Sequence, residues 1–195
     1  MKTFDEYVQA AAHMHGHICA GQILGLRMAL HGLALLGLND PEGKDRKRLV
    51  TFVEIDRCAT DAIAVVTGCR IGKRALKFRD FGKMAATFCD LDSGRAVRVY
   101  AKESSRVRAR EMFPEIGDPN ERQMRAYREL ADAEMFLDQW VRVRVPPEDL
   151  PGYKGPLVNC SRCGERIDFQ REVACGGETL CRACAGDRYY EPVES

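Results

Sequence analysis

The alternation of apolar and polar positions predicts two helices at the start of the chain. Residues 4–12 are amphipathic and predict a short helix that ends near His13. From Gln22 to Leu36 apolar residues recur at helical spacing, and Gly37 stands where a helix C-cap is expected. Glycines within this apolar segment are typical of close backbone approach, either to a neighbouring helix or to a partner chain. They are Gly21, Gly25 and Gly32.

The next part of the chain alternates between strand and helix patterns. Residues 48–56 predict a strand, because apolar and polar residues alternate from Val50 and the β-branched and aromatic types are enriched. Cys58 follows its end, and residues 59–67 predict a helix. Further strands are predicted at residues 77–81, 84–91, 96–101 and 141–145, and further helices at residues 103–112 and 120–137. This order predicts an α+β core domain in which a mixed or antiparallel sheet packs with helices.

A proline-rich segment predicts a domain boundary near the C-terminus. Residues 146–156 hold four of the eight prolines and can continue neither a helix nor a sheet. We therefore expect a core domain over residues 1–145, a linker over residues 146–156 and a small domain over residues 157–195.

Composition limits the classes of function. With 30 basic and 29 acidic side chains the net charge is +1, which disfavours nucleic acid as a partner. No run of about 18 apolar residues indicates a membrane span, and the N-terminus lacks the order of a signal peptide, so a cytoplasmic location is expected. Nine cysteines in a reducing compartment predict metal ligands or reactive thiols, and an odd number argues against a fully paired disulfide framework.

Four of the cysteines have the spacing of a structural zinc site. Two C-x2-C pairs are separated by 17 residues, so that two short turns can each donate two sulfurs about 2.3 Å from one ion. Four ligands close the coordination sphere, which predicts a zinc that folds this segment rather than one that binds substrate. The alternative is four unrelated thiols, and Cys175 is spare. The predicted ligands are Cys160, Cys163, Cys181 and Cys184. The segments C-S-R-C-G-E-R-I and T-L-C-R-A-C resemble the DksA/TraR-type zinc finger, but the chain lacks the long coiled coil of those transcription factors.

A second candidate site lies near the N-terminus. Three of the four histidines and one cysteine fall within seven residues, His13 to Cys19, just before the apolar helix. Cys19 and Cys58 both precede predicted helices, whose N-termini favour thiolate. Thiolate together with imidazole suits zinc, nickel, copper or iron. The alternative is that these histidines are solvated and these cysteines are core residues.

The same residues carry a family resemblance that covers most of the core. H-G-H-I-C-A-G-Q-I-L-G-L-R-M-A from His15, V-E-I-D-R-C-A-T-D-A-I-A-V-V-T-G-C-R-I-G-K from Val53 and F-R-D-F-G-K-M-A-A-T-F from Phe78 resemble the FmdE-like family, named for a component of formylmethanofuran dehydrogenase. The resemblance implies an α+β core that is often dimeric, an optional C-terminal zinc finger, and a metal site built from the histidine–cysteine stretch and the second cysteine. It also implies an association with molybdenum or tungsten enzymes. Ala20 stands where the family has proline.

Within this site, His17, Cys19 and Cys58 are the predicted metal ligands. Three protein ligands would leave an open position for water or substrate, as catalytic zinc requires. His13 and His15 are further candidates. A carboxylate, from Asp56 or Asp61, could orient an imidazole.

Three further cysteine and lysine assignments concern catalysis. Cys19 or Cys58 could act as a thiolate nucleophile, and Lys73 could hold an anionic substrate, although a solvated lysine is the plainer interpretation. Cys69 is either a core residue or a reactive thiol.

Three classes of function fit these patterns. The first is a metal-dependent enzyme or enzyme accessory that acts on a small anionic or one-carbon substrate and works with a molybdenum or tungsten enzyme. The second is a metal-handling or sensor protein with exchangeable metal. The third is a module whose finger docks on protein or nucleic acid, which five arginines would allow: Arg162, Arg166, Arg171, Arg182 and Arg188. A homodimer is expected from the family and from the glycine-bearing helix.

Overall fold

The computed structural model describes residues 1–193, and the chain divides into two compact units. The first is Met1–Arg144, and the second begins at Val145. The first unit contains α1 (Phe4–His15), α2 (Ala20–Leu36), β1 (Leu49–Val53), α3 (Cys58–Thr67), β2 (Leu76–Phe78), β3 (Ala85–Asp90), β4 (Ala96–Ala101), α4 (Ser104–Met112), α5 (Pro119–Glu129), α6 (Asp132–Met135) and β5 (Phe136–Val141). A 3-10 turn, Ile71–Lys73, precedes β2.

The strands of the first unit form one five-stranded sheet in the order β2-β1-β3-β4-β5. The β1 and β2 strands are parallel, and the other pairs are antiparallel. In the central strands Thr51 pairs with Phe88, and Phe88 pairs with Val97. The expected α+β class with a mixed sheet is therefore confirmed.

Helix α2 is the central element of the core. It is apolar on most of its surface, and Ile23, Leu26 and Leu33 are fully buried. Its end is the predicted one, since Gly37 adopts a left-handed conformation (φ +71°) and donates its N–H to Leu33 and Ala34. A helix apolar all round must be covered on several sides, and α3, α5 and strands β3 and β4 pack against it.

Two predicted elements near the end of the first unit are wrong. The helix expected over residues 120–137 stops at Glu129, and the strand expected over residues 141–145 is instead β5, Phe136–Val141. Phe136 pairs with Ala101 and Val141 with Ala96, so the edge of the sheet takes the residues that continue the helical pattern. Pairing with a neighbouring strand outweighs local periodicity here.

The second unit is built from two small hairpins. Strands β6 (Val158–Asn159) and β7 (Arg166–Ile167) form one, and strands β8 (Val173–Cys175) and β9 (Glu178–Leu180) form the other. Its buried apolar residues are few: Ile167 and Leu180 pack with Cys160. Such a small core needs another source of stability, which a bound metal can supply. In the part of the chain that the structure describes, no helix has the length and apolar character to span a bilayer.

Candidate metal centres

The C-terminal cysteines form a compact cluster in the second unit. The Sγ atoms of Cys160, Cys163, Cys181 and Cys184 all lie within 4.8 Å of one another. Tetrahedral zinc–thiolate sites hold sulfurs about 2.3 Å from the ion, hence about 3.8 Å apart. The Sγ atoms of Cys163 and Cys181 are 3.9 Å apart, so the cluster has the dimensions of that site.

Tight turns position the sulfurs of this cluster. Gly164 follows the first pair at φ +77° and donates its N–H to the carbonyl of Cys160 at 2.9 Å. In the second pair the N–H of Cys184 points at the sulfur of Cys181, 3.4 Å away. Arg162 joins the two pairs, because its guanidinium donates to the carbonyl of Cys184 at 2.8 Å. The sequence therefore folds each C-x2-C pair into a turn whose amides face sulfur.

The charges that the cluster favours are those of metal-binding thiolates. The backbone N–H groups of Cys163 and Cys181 lower the pKa of the Cys160 thiol to about 6. The neighbouring sulfurs act in the opposite sense at Cys184, where the hydrogen bond with Cys181 is the main cause of a pKa raised to about 12. Four thiols this close cannot all ionise without a compensating cation, and zinc supplies that charge.

The thiols of Cys19 and Cys58 meet in the first unit. Cys19 is the N-cap of α2, and Cys58 is the first residue of α3. Gly21 lies between them: a Cβ placed on it would be 3.3 Å from the Cβ of Cys58 and 3.7 Å from the sulfur of Cys19. The two side chains hydrogen-bond to each other. The structure thus brings together two predicted site residues that are 39 positions apart in the sequence.

The expectation that a helix N-terminus favours thiolate does not hold for Cys58. Burial is the main cause that raises its pKa, and the hydrogen bond with Cys19 raises it further. Both causes oppose the helix dipole, because a desolvated thiol next to a second sulfur loses more than the dipole returns. A positive ion between the two sulfurs would reverse this balance.

The departure at Ala20 has a structural counterpart. Proline would have no N–H at this first position of α2, whereas Ala20 donates its N–H to the Oδ1 atom of Asn120 at 2.9 Å. Asn120 belongs to α5, and its own N–H is bonded to Asp118, the N-cap of that helix. The start of α2 is therefore fixed by a side chain from α5.

The histidines lie at the end of α1, beside the thiol pair in sequence. The Nδ1 atom of His15 is 2.8 Å from the Oδ2 atom of Asp61, so a carboxylate on α3 orients this imidazole. The rings of His15 and His17 are 4.9 Å apart between centroids. His13 and His17 are exposed, and His15 is half-buried. The predicted orienting role of a carboxylate is thus seen geometrically for Asp61 and His15.

A concave surface of ≈ 420 Å³ adjoins Cys58. Its lining comprises His15, Asp56, Arg57, Cys58, Thr60 and Asp61. Arg57 is exposed at the N-cap of α3, and it is the cation that this concave surface offers to an anion. Arg57 was not among the residues predicted from the sequence, although its place next to Cys58 could have indicated it.

Several other predicted residues lie elsewhere. Lys73 is exposed in the 3-10 turn beyond the C-terminal end of α3, whereas Cys58 begins that helix, about 15 Å away along a ten-residue helix. Cys69 also lies past that end and is buried, which raises the pKa of its thiol. Cys175 is exposed in β8, outside the zinc-type cluster. The structure does not bring these three residues to the Cys19–Cys58 pair.

The two centres differ in how complete they are. Across residues 1–193, the C-terminal cysteines form the one group of three or more His, Cys, Asp or Glu side chains whose ligand atoms converge as a metal requires. At Cys19 and Cys58 no imidazole has joined the sulfurs in this way.

Comparison with known proteins assigns the family. The profile described as "FmdE, Molybdenum formylmethanofuran dehydrogenase operon" matches residues 14–140, and the "Prokaryotic dksA/traR C4-type zinc finger" matches residues 153–190. The first match covers more than half of the chain, so the protein belongs to the FmdE family. Together with the four-cysteine cluster, these matches define a metal-binding protein with a C-terminal zinc finger. Both resemblances noted in the sequence are confirmed.

Two relatives are similar over most of the chain. A crystal structure of an FmdE-like protein of tungsten formylmethanofuran dehydrogenase from Syntrophus aciditrophicus has a TM-score of 0.66 at 25% identity, with 97% of this chain and 96% of that chain covered. A probable S-adenosyl-L-methionine-binding protein of Archaeoglobus fulgidus is 29% identical over 199 residues. The match covers 92% of this chain but 52% of the relative, so this chain spans about half of that protein's length.

Proposed function

We propose that this FmdE-family protein carries, besides its zinc finger, an open metal centre at the adjoining starts of α2 and α3. Cys19 and Cys58 are its sulfur ligands, and His17 is the third, with His15 as the alternative. The protein would be an enzyme or enzyme accessory that acts on a small anionic or one-carbon substrate.

The contact between the two thiols carries this proposal. Cys19 and Cys58 hydrogen-bond to each other at two helix N-termini, where partial positive charge favours an anionic sulfur once an ion removes the mutual repulsion. A pair of core cysteines that only filled space would not need histidines and a concave surface beside it. His15 and Cys58 both line that surface, so a ligand there would reach both residues.

The surrounding residues have defined parts in such a site. A bound zinc would supply Lewis acidity and a water of lowered pKa in its open position. Asp61 accepts a hydrogen bond from His15 and fixes which ring nitrogen faces the site. Arg57 would hold the anionic group of the substrate. Lys73, which we expected in this role, lies at the other end of α3.

A connection to molybdenum or tungsten enzymes comes from the names of the family and of the Syntrophus protein. We include it as a partner class, in the form of a homodimer that works with such an enzyme. The ligand named for the Archaeoglobus protein is not part of the proposal, because half of that protein has no counterpart here.

A metal-handling or sensor protein is the second candidate. The exposure of His13 and His17 favours it, since ligands at the surface release an ion readily. The two candidates differ in exchange rate: a catalytic centre retains its metal through dialysis against a weak chelator, and a metal-handling centre loses it within minutes.

Metal analysis of three full-length proteins tests the proposal. We expect two zinc equivalents per chain in the wild type, and one in each of the Cys19→Ala and Cys160→Ala variants. The remaining equivalent should resist different chelator concentrations in the two variants. A wild-type stoichiometry of one that Cys19→Ala leaves unchanged would remove the core centre and leave the finger.

A further inference from the structure

A second cavity, of ≈ 260 Å³, lies in the first unit and shares no lining residue with the concave surface beside Cys58. Leu24, Ile55 and Met84 contribute apolar surface to it, and Tyr100 and Tyr127 contribute aromatic surface. Leu24 is on α2 and Met84 immediately precedes β3. The cavity is therefore formed by the helical layer and the sheet together, and it can contact the apolar part of a small molecule.

Basic side chains predominate at this cavity. Its charged lining residues are Lys83, Lys102 and Arg106 against a single acid, Glu103. Arg106 pairs with Glu103 at 2.7 Å, but both side chains are more than half exposed, so the pair is open to exchange for another anion. Lys102 donates to the carbonyl of Ala133 at 2.6 Å, which leaves its charge uncompensated.

Lys83 is the cation with the most freedom. It is exposed, and in residues 1–193 its amino group has neither a carboxylate nor a carbonyl partner. Its backbone is fixed, because its N–H donates to the carbonyl of Glu54 at 3.2 Å and its carbonyl accepts from Ala85. A lysine held at the backbone and free at the amino group is suited to meet an anion.

The first turn of α4 adds to the positive field. This nine-residue helix begins at Ser104, and its N-cap residue Glu103 makes no side-chain capping bond. Glu103, Ser105 and Arg106 all line the cavity. The first N–H groups of a helix lack intrahelical partners and carry partial positive charge, so they favour an anion in the cavity.

We propose that this cavity binds a small organic anion, with a carboxylate or phosphate group held by Lys83, Lys102 and Arg106 and an apolar portion against Leu24, Ile55 and Met84. The site does not depend on the Cys19–Cys58 centre, and no metal takes part. The volume suits a ligand about the size of a single substituted ring. A cationic ligand is excluded by charge, which includes S-adenosylmethionine with its sulfonium and ammonium groups.

The methyl group of Met84 gives a direct readout of this cavity. The zinc-loaded full chain, carrying 13C-methyl methionine, is titrated with phenyl phosphate, benzoate and uncharged benzyl alcohol up to about 20 mM, a range that detects millimolar affinity. We expect saturable shifts of Met84 with one or both anions and a much weaker response to benzyl alcohol. Met14, near the histidines, should not shift. The stronger of the two anions identifies the ligand as a phosphate or a carboxylate.

Charge variants test which side chains bind. Lys83→Gln should weaken anion binding about fivefold, and the double variant with Arg106→Gln more than about tenfold. Lys47→Gln is the matched control, since this exposed lysine precedes the opposite end of β1 from Ile55. Equal binding of benzyl alcohol, equal weakening by Lys47→Gln, or no Met84 shift at any concentration would each overturn the proposal. The methyl spectrum of each variant without ligand confirms that it is folded.

Discussion

The backbone of Ala59 lies against the face of Gly25. A Cβ placed on Gly25 would be 2.5 Å from the carbonyl oxygen of Ala59 and 2.7 Å from its Cα. No real side-chain carbon comes that near to a backbone, so α2 and α3 can pack this closely because residue 25 is glycine. Cys19 and Cys58 stand at the adjacent ends of the same two helices, and this contact therefore sets the distance between them.

Substituting Gly25 should loosen both the fold and the thiol pair. In an exposed helix Gly→Ala would stabilise by about 1 kcal/mol, but here the methyl group overlaps backbone atoms that cannot rotate away. We expect Gly25→Ala to lower the free energy of unfolding by about 1–3 kcal/mol and to reduce metal retention at the core centre. Urea denaturation and zinc titration measure the two effects.

Gly72→Ala is the control for this substitution. A Cβ on Gly72 meets nothing within 4 Å, so the variant should unfold within about 0.5 kcal/mol of the wild type. If Gly25→Ala matched it, the close approach of the two helices would have no energetic meaning.

The carboxylate of Asp61 should affect metal affinity at the core centre. It holds the Nδ1 atom of His15 at 2.8 Å, and removal of such a partner typically lowers metal affinity about tenfold or more. We expect Asp61→Asn to show this loss in a competition titration with a chromogenic chelator. Asp56→Asn is the matched control, because Asp56 lines the same concave surface without a bond to an imidazole. Equal losses in both variants would point to a general charge effect instead.

His31 links α2 to β5 in a pH-dependent way. Its Nδ1 atom is 3.1 Å from Asp132 and its Nε2 atom is 2.9 Å from Asp138, and the hydrogen bond with Asp132 is the main cause of its raised pKa. A pKa raised in the folded state stabilises the protein fully below the unfolded value of about 6.5, and this stabilisation is lost as the pH rises through the folded value.

His31→Gln should therefore cost stability mainly at mildly acidic pH. We expect it to lower the free energy of unfolding by about 1 kcal/mol near pH 6, with a difference from the wild type that shrinks towards pH 9. Thermal melts across this range measure it. His13→Gln, at an exposed position, should show a constant small difference. A gap that widened with increasing pH would contradict the assignment of a protonated His31.

The zinc finger should lose its structure without its metal while the first unit remains folded. The buried apolar residues of the second unit are too few to hold it, so Cys160→Ala should abolish the amide protection of residues 158–180. Cys175→Ala should leave that protection unchanged, since Cys175 is outside the cluster. Hydrogen exchange read by mass spectrometry follows both units at once.

Local patterns predicted the elements whose signals agree with their packing. β4 was predicted at residues 96–101 and lies there, and Gly37 caps α2 as expected. The C-terminal site could be predicted because its four ligands come as two pairs with fixed spacing. The helix expected through residue 137 failed because strand pairing to β4 is a long-range effect that periodicity does not show.

The core site was only partly predictable, for a similar reason. Cys19 and Cys58 could be singled out by residue type, but their contact depends on Gly21 and Gly25, whose clearance is seen only in three dimensions. Lys73 was assigned to an anion because it follows a glycine, whereas the direction of α3 takes it away from Cys58. Arg57 was missed because an arginine at a helix N-cap has no distinctive spacing.

The central claim is that Cys19 and Cys58 bind one ion which keeps a position open. Absorption spectroscopy of the cobalt-substituted full chain tests it directly, since sulfur-to-cobalt bands report thiolate ligands and the visible bands respond to an added ligand such as azide. The account predicts that azide changes the visible spectrum of the wild type and leaves that of Cys58→Ala unchanged, with the finger bands intact in both. An azide-insensitive wild type whose spectrum Cys58→Ala does not alter would contradict it.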